Sequence, residues 1–285
     1  MDNKIRIEKN TVQETLMLPL FGKAWATRQF PDLFHDHDCQ RIMDKVDYDF
    51  SAMEAYGENF KMRLGAISAA VRQHALVQEV KDYLQEHPDA VVVNLGCGLD
   101  TAGHQADNGR CRFVNIDFPN VIELREQLIP TSDRETNIAS NITDLSWFDR
   151  IGFDPARGAV FFASGVLVYI KKEEVRRLLC AMAERFPGAR FAFDASNKRG
   201  MRMQLGFVRK SGIKDVDVNF YLADPVPELQ GWCADFSRVQ CKRMNTDYIR
   251  PDRHFGIAYR LLAAYADRSR MDQLDVVDFR KKQQP

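Results

Sequence analysis

The chain of 285 residues is 45% hydrophobic and 28% charged, so it can bury a core, which excludes a disordered protein. Forty lysines and arginines balance forty aspartates and glutamates, which removes any chain-wide attraction to nucleic acid or to an anionic membrane. The chain shows no secretion signal, no C-x-x-C pair among its six cysteines, and no apolar stretch near the roughly 20 residues of a membrane span. We therefore expect a cytoplasmic protein with free thiols.

The first part of the chain is predicted to be helical. Its clearest helix covers 63–84, where apolar residues recur at three- and four-residue spacing until Pro88 ends the run. We expect residues 1–88 to form a helical cap over the sheet that follows.

Short apolar runs, each leading into a loop and a helix-like stretch, predict buried strands in the middle of the chain. These strands are predicted at 90–95, 112–116, 159–163 and 190–193, with a further short strand consistent with 136–140 and a helix over 172–185. Alternating strands and helices indicate an α/β core over 89–195, built on a parallel sheet with helices on both faces.

The last third of the chain is less regular. Residues 196–235 are polar and rich in Met and Gly at first, and we expect them to form a lid or acceptor-site insertion. Residues 236–285 are predicted to contain a strand over 237–244, a helix over 255–265 and a strand over 274–280. No linker divides the chain, so a single domain is expected.

A glycine turn follows the first predicted strand in the run VVVNLGCGLDT. Gly96 and Gly98 would let a ligand lie against the backbone, while Thr101 replaces the third glycine of the dinucleotide motif and disfavours a nucleotide-linked oxidoreductase. Asp117 ends the next strand about 20 residues later, the spacing of an acidic residue that accepts both ribose hydroxyls. Each piece alone also occurs as a structural turn or helix cap, but together they indicate an adenosine-containing ligand.

A third polar segment, 141–147, permits two interpretations. Asp144 could accept a hydrogen bond from the adenine amino group while Leu145 covers the ring. Thr143 and Asp144 could equally form an ordinary helix start.

Three segments in this order resemble the leucine carboxyl methyltransferase family, which includes tetracenomycin-type O-methyltransferases of polyketide biosynthesis. They are NLGCGLDT at 94–101, IDFPNVIELR at 116–125 and GVLVYI at 165–170. The resemblance covers roughly 18–194. It implies a class I methyltransferase that uses S-adenosylmethionine and has a Rossmann-like, mostly parallel sheet of seven strands.

The resemblance also implies roles for individual residues. The glycine turn would pass under the methionine and ribose, Asp117 would hold the ribose, and two cations of the cap would face the methionine carboxylate, unless they are solvated surface cations. The cofactor-binding residues carried over in this way are Lys23, Arg63, Gly96, Cys97, Gly98, Asp117, Phe118, Asp144, Leu145 and Ser164.

One position departs from the family pattern. Many members carry an acidic residue before the Gly-Val-Leu-x-Tyr run, whereas this chain has Ser164, which cannot carry a charge beside the sulfonium. Tyr169, Asp194 and His104 are candidates for lining the acceptor site. No catalytic base is assigned.

These observations predict an O-methyltransferase acting on a carboxylate or hydroxyl of a small molecule or peptide, with no nucleic-acid or membrane partner. The alternative is a protein that binds S-adenosylmethionine or S-adenosylhomocysteine without turnover. The run HDHDC at 35–39 offers metal-ligating side chains, but it lacks distant partners, so no metal site is predicted. The basic cluster over 197–210 is expected to be a solvated lid segment, with steering of an anionic acceptor as the lesser alternative.

Overall fold

The protein is described by a computed structural model that covers residues 4–8, 11–56, 60–210, 218–248 and 255–281. Its strands are β1 (Ile5–Arg6), β2 (Val46–Asp47), β3 (Val91–Leu95), β4 (Arg112–Asp117), β5 (Glu135–Ala139), β6 (Ala159–Ala163), β7 (Arg190–Ala195), β8 (Phe236–Lys242) and β9 (Gln273–Phe279). Its helices are α1 (Val12–Gln29), α2 (Asp38–Lys45), α3 (Ser51–Tyr56), α4 (Phe60–Glu86), α5 (Ala102–Ala106), α6 (Pro119–Leu128), α7 (Lys172–Arg185), α8 (Lys198–Lys210), α9 (Pro225–Gln230) and α10 (Ile257–Arg268).

The central sheet has seven strands in the order β5-β4-β3-β6-β7-β9-β8. The first five in this order are parallel to one another, and β9 runs antiparallel to both β7 and β8. Every residue of β3 and β6 is buried, because helices cover both faces, and this accounts for their unbroken apolar sequences. The predicted α/β class with a mostly parallel sheet is confirmed.

Two apolar layers hold the helices to the sheet. On one face, α7 and the turn containing Trp147 pack on Phe161 and Phe186, and the rings of Trp147 and Phe186 stack at 6.2 Å. On the other face, Val71 and Leu76 of α4 pack on the sheet. A third cluster joins α1 and α2 of the cap to α6.

The structure adds elements that the sequence did not predict. β1 and β2 form a parallel pair of two residues each, too short to show a hydrophobic period. The segment predicted as a lid contains two helices, α8 and α9, separated in part by residues 211–217, which lie outside the described residues. No helix in the described parts of the chain is long and apolar enough to cross a membrane.

Candidate cofactor and acceptor site

The glycine turn after β3 requires glycine at both positions. Gly96 and Gly98 have φ values of +66° and +47°, a region that residues with a Cβ atom rarely adopt. A Cβ atom on Gly96 would lie 2.5 Å from Cγ2 of Val166, and one on Gly98 would lie 2.8 Å from Cδ2 of Leu16. The turn is therefore packed between the loop after β6 and helix α1 of the cap.

Asp117 ends β4 directly beside this turn. Its carboxylate accepts hydrogen bonds from the backbone N–H groups of Gly98 and Phe118, both at 2.7 Å. Burial raises its pKa, and these two N–H groups and the charge of Arg125 oppose the rise. A carboxylate offers about four acceptor positions, so two remain for a ribose diol. The geometry fits the predicted role of Asp117.

Arg125, for which the sequence predicts no role, supports the glycine turn through its carbonyl oxygens. Its side chain is 2% exposed and donates to the carbonyl oxygens of Gly98 at 3.1 Å and of Asp100 at 2.7 Å. The same guanidinium forms an ion pair with Glu135 at 3.3 Å. The backbone that would face the ligand is thus held by a buried cation from α6.

Lys23 is buried in the cap and is not a solvated surface cation. Its Nζ lies 3.7 Å from Oδ2 of Asp36 and 3.6 Å from Oδ2 of Asp100. Burial lowers its pKa, but the charges of Asp100, Cys39 and Asp36 outweigh this effect and raise it overall. Gln73 ties the two aspartates together by donating to both.

The other predicted cofactor residues occupy varied environments. Arg63 lies in the first turn of α4 with an exposed side chain, and the Phe118 ring next to Asp117 is 43% exposed. Cys97 is buried inside the turn, and burial raises the pKa of its thiol to about 12, so it remains a neutral thiol. Ser164 is half-buried after β6.

Asp144 caps the short 3-10 helix Leu145–Asp149 by accepting a hydrogen bond from the backbone N–H of Ser146 at 3.1 Å. The structure therefore shows the helix-start contact that was one of the two interpretations of this segment. The side chain of Asp144 is exposed while Leu145 packs on the core. Adenine binding at this pair stays a prediction.

Asp194 and Tyr169 lie near each other at the carboxyl ends of β6 and β7. Asp194 accepts from the backbone N–H of Gly165 at 2.5 Å and pairs with Nη1 of Arg72 at 3.2 Å. Burial raises the pKa of the Tyr169 phenol, with Arg72 opposing and Asp194 adding to the rise. Arg72 was missed, although it is a cation inside the apolar run of α4.

His104 does not join this group. Its ring contacts Asp38 at 3.3 Å and Glu135 at 3.2 Å. Glu135 belongs to edge strand β5, which β4, β3 and β6 separate from β7. His104 therefore lies apart from Tyr169 and Asp194, and the structure does not bring the three candidates together. Within the described parts of the chain, no group of three or more His, Cys, Asp or Glu residues could hold a metal ion.

The glycine turn and Asp117 thus lie at the carboxyl ends of β3 and β4, beside the point where the strand order reverses between β3 and β6. Open α/β sheets bind their ligands there. Together with the strand order and the antiparallel β9, this arrangement is that of the class I methyltransferase fold.

The family follows from a comparison with known proteins. Residues 17–183 match the model of the leucine carboxyl methyltransferase family, and the chain belongs to that family. The resemblance seen in the sequence motifs is confirmed.

Individual relatives agree with this assignment. The chain is 29% identical over 185 residues to the tetracenomycin polyketide synthesis O-methyltransferase TcmP of Streptomyces glaucescens, covering 65% of this chain and 66% of that one. It is 29% identical over 239 residues to a putative S-adenosylmethionine-dependent methyltransferase of Mycobacterium avium, covering 73% and 76%. A similar protein from Parafrankia matches over 47% of its length, so the chain spans between about half and three quarters of these relatives.

One solved structure shares the fold over nearly the whole chain. The crystal structure of a DUF574 family protein from Streptomyces avermitilis aligns with a TM-score of 0.58, covering 90% of this chain and all of that one. At 15% sequence identity, the likeness concerns the fold alone.

Proposed function

We propose that this protein transfers the methyl group of S-adenosylmethionine to an oxygen of a carboxylate or hydroxyl on a small molecule or peptide. The observation that carries the proposal is the hydrogen bond from the backbone N–H of Gly98 to the carboxylate of Asp117. In a chain of this family, it supports a ribose-binding site beside the glycine turn. The name of the TcmP relative, an O-methyltransferase, supports oxygen as the acceptor atom.

The residues around the glycine turn fit this cofactor, which supplies a methyl carbon on a positively charged sulfur when it is bound. The turn leaves no room for Cβ atoms, and Asp117 keeps two acceptor positions. Lys23, Asp36 and Asp100 together carry one net negative charge. This negative charge would attract the ammonium group of the methionine portion and repel its carboxylate. Ser164 carries no charge and cannot neutralise that ammonium.

The acceptor end favours a substrate that is already ionised. Asp194 is held by Gly165 and Arg72, and the raised pKa keeps Tyr169 neutral, so neither is suited to remove a proton from a hydroxyl at neutral pH. A carboxylate acceptor is already ionised at neutral pH and needs no base. The chain then has to position the acceptor oxygen in line with the methyl carbon and exclude water.

We further propose that the enzyme acts in the cytoplasm. All six cysteines are free in the structure, as is usual in a reducing compartment. The acceptor is a small molecule or peptide, since the neutral net charge gives no general attraction to nucleic acid.

Titration calorimetry with S-adenosylmethionine and with S-adenosylhomocysteine tests the cofactor site directly. We expect saturable one-to-one binding by ligand-free protein, and at least tenfold weaker binding by Asp117→Ala, which loses the hydrogen bonds that the ribose hydroxyls would donate to a charged carboxylate. Asp133→Ala, a change at an exposed aspartate after α6, is the matched control. Absence of binding in folded, ligand-free protein would overturn the proposal.

A second candidate function is cofactor binding without turnover. It is favoured by Ser164, which stands where many family members carry an acidic residue. The two candidates differ in whether S-adenosylhomocysteine is formed. A panel of carboxylates and then phenols is incubated with S-adenosylmethionine, and S-adenosylhomocysteine is quantified. Product with any acceptor eliminates the alternative, whereas tight binding with no product across the panel favours it.

A further inference from the structure

Helices α8 and α10 expose large apolar side chains beside a row of cations. On α10, Ile257 is 67% exposed, Leu261 is 68% exposed and Tyr265 is 49% exposed. These residues are four apart, so they lie on one side of the helix. On α8, Met203 is 47% exposed. Scattered exposed apolar residues are ordinary, but a continuous helical stripe of them is not.

The two helices form one surface. Nη1 of Arg199 in α8 donates to the hydroxyl of Tyr265 in α10 at 2.9 Å, and the guanidinium lies 5.9 Å from the centre of that ring. Nδ2 of Asn197 also donates to the carbonyl oxygen of Ser269 at 2.6 Å, which joins the start of α8 to the end of α10. Met203 is one turn beyond Arg199 on the same side of α8, so it adjoins the stripe. We call this the α8–α10 surface.

The exposed charged residues of α8 and α10 are all cations. α8 contains five cations and no acidic residue, and Lys198, Arg199, Arg202 and Arg209 are exposed. The single acid of α10, Asp267, is buried, where its Oδ1 accepts from the backbone and side chain of Asn245. A second copy of the chain placed symmetrically on this surface would bring cation against cation. The partner must therefore be acidic and must accept apolar side chains that protrude from a convex helix.

We propose that the α8–α10 surface docks the protein peripherally on an anionic lipid bilayer. An interface of acidic headgroups over acyl chains has the required chemistry: it attracts lysine and arginine, and it takes up protruding Ile, Leu and Tyr side chains without needing a matching groove. The cytoplasmic leaflet of a membrane carries such headgroups. This proposal revises the expectation of no membrane partner, which considered only the net charge of the whole chain, and it does not depend on the proposed methyl transfer.

Co-sedimentation with vesicles tests the proposal. The whole protein is mixed with vesicles of phosphatidylcholine alone or of equal parts phosphatidylcholine and phosphatidylserine, at low and at high salt. We expect sedimentation with the anionic vesicles only, and weaker sedimentation at high salt because salt screens the attraction.

Three variants separate the apolar and charged contributions. Ile257→Ser with Leu261→Ser should weaken vesicle binding at least tenfold, because these side chains would lose their burial among acyl chains. Arg202→Glu with Arg209→Glu should weaken it by at least twentyfold, since each cation near an anionic surface contributes roughly fivefold. Arg150→Glu with Arg176→Glu makes the same charge change at two exposed arginines in and before α7, and should leave much of the binding intact.

The same experiments distinguish a lipid bilayer from other partners of the α8–α10 surface. The proposal is overturned if the unmodified protein does not sediment with anionic vesicles, or if the α7 control variant loses as much binding as the α8 variant. It is also overturned if sedimentation equilibrium shows a dimer that the α10 variant dissociates while vesicle binding is absent. Because all the changed positions on the surface are exposed, circular dichroism should show folded variants.

Discussion

Replacing Arg125 with methionine is expected to disturb both stability and the cofactor site. The guanidinium is 2% exposed, holds the carbonyl oxygens of Gly98 and Asp100, and pairs with Glu135, whose side chain is 3% exposed. Removing one member of a buried ion pair typically costs about 3–5 kcal/mol of unfolding free energy, because the other charge stays buried. Glu135 retains Asn115 and His104 as partners, which places our expectation near the lower limit, at about 3 kcal/mol.

The assay is urea unfolding of ligand-free protein. The midpoint urea concentrations of the variant and the unmodified protein are compared, provided that the dependence of unfolding free energy on urea is the same for both. Arg110→Met is the matched control, since that arginine pairs with Asp89 at the solvent-exposed surface and its loss should leave the midpoint nearly unchanged. Calorimetry should also show weaker S-adenosylmethionine binding by the Arg125 variant, because the carbonyl groups of the turn lose their donor. Equal midpoints for the two variants would refute the role of burial, and unchanged binding affinity would refute the support of the turn.

Three further changes have defined outcomes. Gly96→Ala forces a Cβ atom toward Val166 at a positive φ, and we expect a loss of about 1–3 kcal/mol in urea unfolding and loss of S-adenosylmethionine binding in calorimetry. His104 has its pKa raised, chiefly by its hydrogen bond to Glu135. The stability difference between the unmodified protein and His104→Asn should therefore be complete below pH about 6.5 and disappear as the pH rises through the folded-state value; a difference independent of pH would contradict this. Burial raises the pKa of Asp275 to about 8, so stability should fall as the pH rises from about 4 to 8, and Asp275→Asn should show a smaller fall over that interval.

Local sequence patterns were sufficient to locate the strands of the central sheet. The buried runs that became β3, β4, β6 and β7 were predicted within two residues of their ends, because strands covered on both faces consist almost entirely of apolar residues. The last two strands and α10 were displaced by up to three residues, since edges and caps depend on neighbouring elements. The two-residue pair of β1 and β2 carries no period and was not predicted.

The candidate site likewise contains residues that local sequence predicted and residues that it did not. Gly96, Gly98 and Asp117 were identified because their chemistry is local: a turn that excludes side chains, and a carboxylate at a strand end. Arg72 and Arg125 were missed as functional supports, since a cation on a helix resembles a surface residue until its burial is known. The sequence did not separate His104 from Tyr169 and Asp194, because sequence distance does not show which edge of the sheet a helix covers.

The sequence by itself determined the order of the elements, the glycine turn, the acidic strand end and the family, all of which depend on residues close together in the chain. Only the tertiary structure decided which charges are paired. Lys23 meets Asp100, Arg72 meets Asp194 and Lys242 meets Glu79 across 77, 122 and 163 positions of sequence. It also decided that the cations of α8 adjoin the exposed stripe of α10. Burial and long-range proximity set the strength of each of these interactions, and both arise only when the sheet brings distant segments together.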